Sequence, residues 1–283
     1  MLARTSLHNS LRRSLLSPYL YSRRFASDSS NIEKTLTKFW KSVQVEQKTD
    51  ADGISHYVTT LDGKPIKTPG GFHLLVPTSK SALAHLICHE WSILTTQKIK
   101  HHSLPLTAIA ARAVDITYGS DGRSVREKAT DQLLPYLDTD TLLTFAPHKD
   151  CDGRLRPAQE NLYWPVIEDA QNTWGVKLQT LDTEVTLFGS KQSEETKKVV
   201  LDWMNELDPW QFTALEKATT AAKSLIAGMN VVNHSRTPDE VADLVNLETK
   251  LQTEQWGEVE DTHDVDHADI RRILGSCYLL AAR

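Results

Sequence analysis

Residues 57–94 read YVTTLDGKPIKTPGGFHLLVPTSKSALAHLICHEWSIL, and the period of the chain changes inside this stretch. Tyr57-Val58-Thr59-Thr60 is aromatic and β-branched, Asp62-Gly63 and Pro69-Gly70-Gly71 are turn chemistry, and Leu74-Leu75-Val76 is a short apolar run. Such a succession predicts strands joined by hairpins. From Ser79 the apolar residues recur at 3.6: Leu83, Leu86, Ile87, Trp91 and Leu94 share one stripe of a helix that Thr78 or Ser79 can cap.

Working outward, Val43 and Val45 extend the strand region towards the N-terminus, and helices dominate everything C-terminal to residue 104. Pro105 opens a helix with Leu106, Ile109, Ala110, Ala113 and Val114 on one face; another spans about Ser124 to Leu134, and a longer one Pro157 to Thr173 before Trp174-Gly175. Leu142-Leu143-Thr144-Phe145 suits a short strand or a helical turn, and Val185-Thr186-Leu187 is a weak strand candidate. Ser193 starts a helix, and Asp208-Pro209 caps the next one, with Ala214, Ala218, Ala221 and Ala222 as a small-residue flank and Gly228 as its end. Thr237-Pro238-Asp239-Glu240 is a capping box whose helix is expected to run to Trp256, where Gly257 stops it. A last helix carries Ile270, Ile273, Leu274, Cys277, Tyr278 and Ala281. The expected fold is α+β: a small β-rich N-terminal domain with one helix over residues 28–104, then a larger helical C-terminal domain over 105–283.

Residues 1–27 are of another kind, holding five Arg, many Ser and Leu, and no acid before Asp28. Leu11, Leu15 and Leu16 lie on one helical side with Arg12 and Arg13 beside them, and Arg23-Arg24-Phe25-Ala26-Ser27 offers a processing point. That is the chemistry of a mitochondrial presequence and points to the matrix; a secretory signal needs an unbroken apolar run of roughly 7 to 15 residues. Without this segment 27 basic residues face 37 acidic ones, a net charge of −10, which disfavours nucleic acid and anionic lipid as partners. No run approaches the roughly 18 apolar residues of a spanning helix, so no membrane insertion is expected. Cys88, Cys151 and Cys277 lack any C-x-x-C spacing and read as reduced thiols.

Chemistry is sparse. Neither a phosphate loop nor a dinucleotide fingerprint occurs, so neither a cofactor nor a small-molecule substrate is expected. His85 and His89 sit four apart, opposite the apolar stripe, and read as a solvated face. Asp138-Thr139-Asp140 reads as a turn before it reads as an acid-base pair. His263, Asp264, Asp266 and His267 crowd four ligand-type side chains into five positions at a helix start; acids favoured by the helix dipole explain them more simply than a metal-dependent hydrolase does, and that hydrolase stands as the alternative function. The sharper anomaly is polarity on apolar stripes. Glu90 falls amid Leu83, Leu86, Ile87 and Leu94, and Glu248, Gln252 and Gln255 fall among Val241, Leu244, Val245, Leu251 and Trp256. A carboxylate so placed is either paired inside the fold or faces a partner that supplies the donors, and both roles stay open.

Taken in order, Phe39-Trp40-Lys41, Leu61-Asp62-Gly63-Lys64-Pro65, Lys67-Thr68-Pro69, Val76-Pro77, Glu90-Trp91, Leu104-Pro105-Leu106-Thr107, Asp138-Thr139-Asp140-Thr141 and Gln255-Trp256-Gly257 resemble the mitochondrial ATP synthase assembly factor 2 family. Each motif alone is weak, but their order spans nearly the whole chain after the presequence. The resemblance implies an ATP-independent matrix chaperone, not an enzyme, that holds the newly imported α subunit of the F1 sector until a β subunit takes its place. It implies a two-part fold, and it places the family's important acid on Glu248, with Glu258 and Glu260 as neighbours. The partner-binding residues expected on these grounds are Glu90, Glu248, Gln252, Gln255, Trp256, Glu258 and Glu260. One departure is visible: many members carry Gln where this chain has Leu94.

Overall fold

The computed structural model describes residues 38–49, 53–94, 103–186, 188–189 and 191–282; the presequence expected at 1–27 and Leu187 of the weak strand candidate lie outside them. The described residues from Phe39 onward form one compact unit.

Strand β1 (Val43–Thr49) pairs antiparallel with β2 (Ser55–Leu61), which also pairs with the short β3 (Lys64–Pro65) and β4 (Leu75–Pro77). Strand β2 is central and buries His56, Val58, Thr59, Thr60 and Leu61. Asp62 and Gly63 make the two-residue turn into β3 with φ of 48° and 79°. A hairpin turn with both central residues left-handed follows the strand twist, which accounts for Asp-Gly here. The Asp62 carboxylate also accepts from the Ser42 amide at 2.8 Å and the Lys41 amide at 3.1 Å, fastening the entry to β1. Helix α1 (Ser81–Ser92) buries Leu83, Ala84 and Ile87 and packs on the sheet. Its start differs from the expectation: Thr78 to Lys80 form a 3-10 turn, and no side chain caps α1.

The helical body follows: α2 (Pro105–Tyr118), α3 (Gly122–Leu133), α4 (Leu155–Trp174), α5 (Glu194–Glu206), α6 (Pro209–Ala222), α7 (Leu225–Val232), α8 (Pro238–Val245), α9 (Leu247–Trp256) and α10 (His263–Ala281). The four-residue candidate at 142–145 is both things at once. Thr141–Leu143 is a 3-10 turn, and β5 (Thr144–Phe145) pairs in parallel with β6 (Leu181–Asp182), so the strand lies before Val185 rather than on it.

Two expected helices are split, each for a local reason. The helix begun by Asp208 ends at Ala222 because Lys223 adopts a left-handed φ of 53°, and Ser224 then caps α7 through the Ala227 amide. Gly228 therefore does not end a helix. It lies inside α7, where an added Cβ would stand 2.4 Å from Thr219 Oγ1, so glycine permits the close α6–α7 approach. The helix begun by Thr237 has the expected capping box but breaks at Asn246, at φ −97° and ψ 4°. The backbone N–H of Asn246 closes α8 onto the Ala242 carbonyl at 3.1 Å.

Helix α7 is buried along its whole length, and α10 packs on α6, α8 and α2. Polar side chains finish several helix ends. Arg126 donates to the carbonyls of Met204 and Leu207 at the end of α5, and Lys80 donates to those of Leu280 and Ala282 at the end of α10. All three cysteines are free thiols, and burial pushes Cys277 up to about 12.

Candidate functional site

Glu90 sits in the last turn of α1, and the first amides of α2 point at it. Its carboxylate accepts from Leu106 N at 2.7 Å, Thr107 N at 2.9 Å and Thr107 Oγ1 at 2.8 Å, while Trp91 Nε1 donates to Thr107 Oγ1 at 3.0 Å. Helix α2 starts with proline and lacks a side-chain cap of its own, so Glu90 satisfies donors that the helix leaves open. Burial raises the carboxyl's pKa, and these hydrogen bonds work against that rise. Of the two roles open for Glu90, this geometry is that of internal pairing. Leu94, where family members often carry Gln, is buried.

Glu248 is placed quite differently. The break at Asn246 resets the helical phase, so Glu248, Gln252 and Gln255 do not continue the apolar stripe of Val241 and Leu244. Leu247 is the one buried residue of α9. Glu248 is exposed in its first turn and accepts from Gln252 Nε2 at 2.9 Å. Gln255 turns to Asp152 at 3.0 Å, and Arg154 pairs with Glu254 at 3.1 Å; these two polar ties tether α9 to the turn before α4. In that turn Cys151, Asp152 and Gly153 all have left-handed φ values of 51°, 55° and 77°.

An open groove of about 1270 Å³ lies beside α9, lined by Thr144, Tyr163 and Thr183, by Asn246, Glu248 and Gln252, and by Glu258, Asp264 and Asp266 from the loop after α9 and the start of α10. The charge of Glu248 is felt across it. Burial first, and then this carboxylate, push Tyr163 up to about 12, and Cys151 is raised by burial with the help of Asp150 and Glu248. Glu248, Glu258, Asp264 and Asp266 make no ion pair among the described residues. In the same stretch of chain as these acids, Trp256 is 70% exposed, Val259 57% and Val265 53%. Thus the structure gathers Glu248, Gln252 and Glu258 in one groove, leaves Trp256 and Glu260 exposed nearby in sequence, and puts Glu90 in a separate corner.

The other candidates resolve into structure. Among the described residues no three metal-capable side chains converge. His263 Nδ1 accepts from the Val259 amide at 3.1 Å, His267 lies against Arg271, and Asp264 and Asp266 sit in the first turn of α10 without capping it by a hydrogen bond. Asp138 pairs with Lys197 at 2.9 Å, whereas Asp140 is fully buried, accepting from Leu142 N at 3.0 Å and Ile226 N at 3.1 Å. Burial pushes Asp140 up to about 6 against these bonds. Reading the pair as a turn missed that Asp140 anchors α7 from 86 residues away, and no local pattern signals such a contact.

The motifs behind the resemblance are mostly joints between elements. Trp40 stacks edge-on with Trp91 at 5.1 Å, Glu90 caps the helix opened by Pro105, and Thr68 and Gly70 both donate to Asp115 of α2. Two of the motifs put a large side chain in the open, the first at Phe39 and the last at Trp256, each 70% exposed.

A small sheet leading into a helical body is a known architecture. It matches the crystal structure of Atp12 from Paracoccus denitrificans with a TM-score of 0.70, over 88% of this chain and 98% of that one, at 24% identity. The family model described as ATP12 chaperone protein matches residues 37–171. The mitochondrial protein ATP12 of Saccharomyces cerevisiae is 37% identical over 284 residues, covering 90% of this chain and 86% of that protein. Its counterpart in Schizosaccharomyces pombe is 32% identical over 249 residues, covering 88% and 83%. The chain belongs to the ATP12 chaperone family.

Proposed function

We propose that this protein is an ATP-independent assembly chaperone of the mitochondrial matrix that holds the unassembled α subunit of F1 ATP synthase until a β subunit replaces it, and that it catalyses no reaction. Family membership, the mitochondrial relatives and the basic, acid-free first 27 residues support the class and the compartment. The observation that carries the docking surface is the groove beside α9, lined by carboxylates without ion pairs among the described residues and followed in the chain by exposed apolar side chains. Glu248, Gln252, Gln255, Trp256, Glu258 and Glu260 form this surface, while Glu90 holds the α1–α2 frame.

The physics suits a holder of chains. An unassembled subunit exposes interface area that drives aggregation, and covering it needs no turnover. A surface that binds partly by long-range attraction gathers its client quickly and yields when a better-matched partner competes.

Dilution of unfolded α subunit into buffer tests the proposal by light scattering. Equimolar protein without ATP is expected to suppress aggregation, and added β subunit to withdraw α from the complex. Aggregation at the undiminished rate would overturn the reading. A Glu248→Ala variant that folds normally and captures α as well as the parent removes the surface assignment.

A further inference from the structure

Space and charge in the groove beside α9, with exposed apolar side chains on the same segment, together specify what enters it. Its volume of about 1270 Å³ exceeds the roughly 300–1,000 Å³ of ordinary small-molecule pockets and suits a length of polypeptide. Glu248, Glu258, Asp264 and Asp266 line it without an ion pair among the described residues. Three Lys and Arg residues line the groove against seven carboxylates: Arg271 is committed to Asp239 at 3.1 Å and Asp243 at 2.6 Å, and Lys223 and Lys250 make no ion pair among the described residues. Trp256, Val259 and Val265 are exposed in the same 247–266 segment that supplies Glu248, Glu258, Asp264 and Asp266.

We infer that the groove binds a cationic amphipathic segment of the client chain, with Lys or Arg side chains against Glu248, Glu258, Asp264 and Asp266, and apolar side chains against Trp256, Val259 and Val265. Long-range attraction sets the encounter rate, and the exposed apolar side chains supply the salt-resistant part of the affinity. This rests on the reading of the protein as a holder of unassembled chains and names the chemistry by which it chooses where to hold.

The test uses the full chain and a fluorescein-labelled 15-residue peptide of Leu and Lys at helical spacing, with a Leu/Glu peptide of the same pattern and a Lys/Ser peptide as controls. Anisotropy is expected to show binding of the Leu/Lys peptide alone. The affinity should fall at least about tenfold in a Glu258→Lys/Asp264→Lys variant, and less in Trp256→Ala, where the charge attraction remains. Circular dichroism checks that the variants fold, which the exposure of these side chains favours. Equal binding of the Leu/Glu peptide, or undiminished binding by the charge-reversed variant, overturns the inference. The α-subunit scattering assay on the same variants separates the two readings. Capture of α unaffected by charge reversal refutes this groove chemistry and leaves the chaperone, whereas peptide binding without capture of α refutes the client and leaves the groove.

Discussion

The α1–α2 corner and the short helix α9 put a carboxylate to opposite uses. At the corner, Glu90 is enclosed by the element that follows it, and each oxygen takes a hydrogen bond from the opening turn of α2. On α9, Glu248 stands at the edge of a groove with only a glutamine from its own helix as partner. The corner is a structural joint whose polar group is satisfied on folding. Helix α9 is attached by one buried leucine and two polar ties, so its carboxylate and its neighbours keep their capacity for someone else. What separates a structural acid from a docking acid is which backbone donors the fold brings to it, more than the apolarity of its sequence neighbours.

The strongest way to break this contrast is to remove the corner acid. Glu90→Ala leaves the Leu106 and Thr107 amides without their acceptor in a part-buried site, at a cost of about 3–4 kcal/mol. Urea unfolding measures it, and a loss below about 0.5 kcal/mol, the range of ordinary surface substitutions, would put Glu90 in the same class as Glu248.

A second buried carboxylate sharpens the contrast through pH. Asp140 is raised from an ordinary 3.8 to about 6, so the folded state binds its proton more tightly than the unfolded chain does. Its contribution is fully present below about pH 4 and is lost as pH rises through 6, a fall of up to about 3 kcal/mol. Glu90, also raised by burial, adds a slope of the same sign. Unfolding midpoints measured across this window are expected to show an inflection near pH 6 that Asp140→Asn lacks. Parallel curves for parent and variant would remove Asp140 as its source.

A smaller effect concerns the tether of α9. Arg154→Ala removes a half-exposed pair with Glu254 and is expected to cost less than about 1 kcal/mol globally. Locally it loosens a helix with a single buried residue, so hydrogen exchange of the α9 amides should accelerate while those of α7, buried throughout, stay protected. Equal protection of α9 and α7 in the parent would contradict the picture of a lightly held helix.

Much of this was legible beforehand because it is local. The change of period near residue 79, the Asp62-Gly63 turn, the Asp208 cap, the Thr237 capping box and the Gly175 helix end each depend on a few adjacent residues, and all are in the structure. The breaks at Lys223 and Asn246 were not foreseen, since a helical wheel assumes the helix continues and neither residue is a strong breaker. The wheel marked Glu90 as polar among apolar neighbours, but its donors lie 16 and 17 residues on, in the next helix, and no period reveals them. For Glu248 the same wheel used one phase across Asn246. Its place in the groove follows from the family motif around it and from the way α8, α9 and α10 fold together.

The mildest substitution carries the finest distinction. Glu248→Ala removes an exposed side chain whose single hydrogen bond comes from Gln252, four residues along the same helix, so stability should change by no more than about 0.5 kcal/mol. If α9 is a docking edge, the loss appears only when the client is present, as weaker capture of α subunit by a protein of unchanged unfolding midpoint. If Glu248 were a joint like Glu90, the midpoint would fall first and capture would fail only in proportion to the unfolded fraction. Measuring both on one preparation therefore decides which kind of carboxylate it is: loss of capture at constant stability belongs to a surface that the fold leaves open, and the reverse order belongs to the frame.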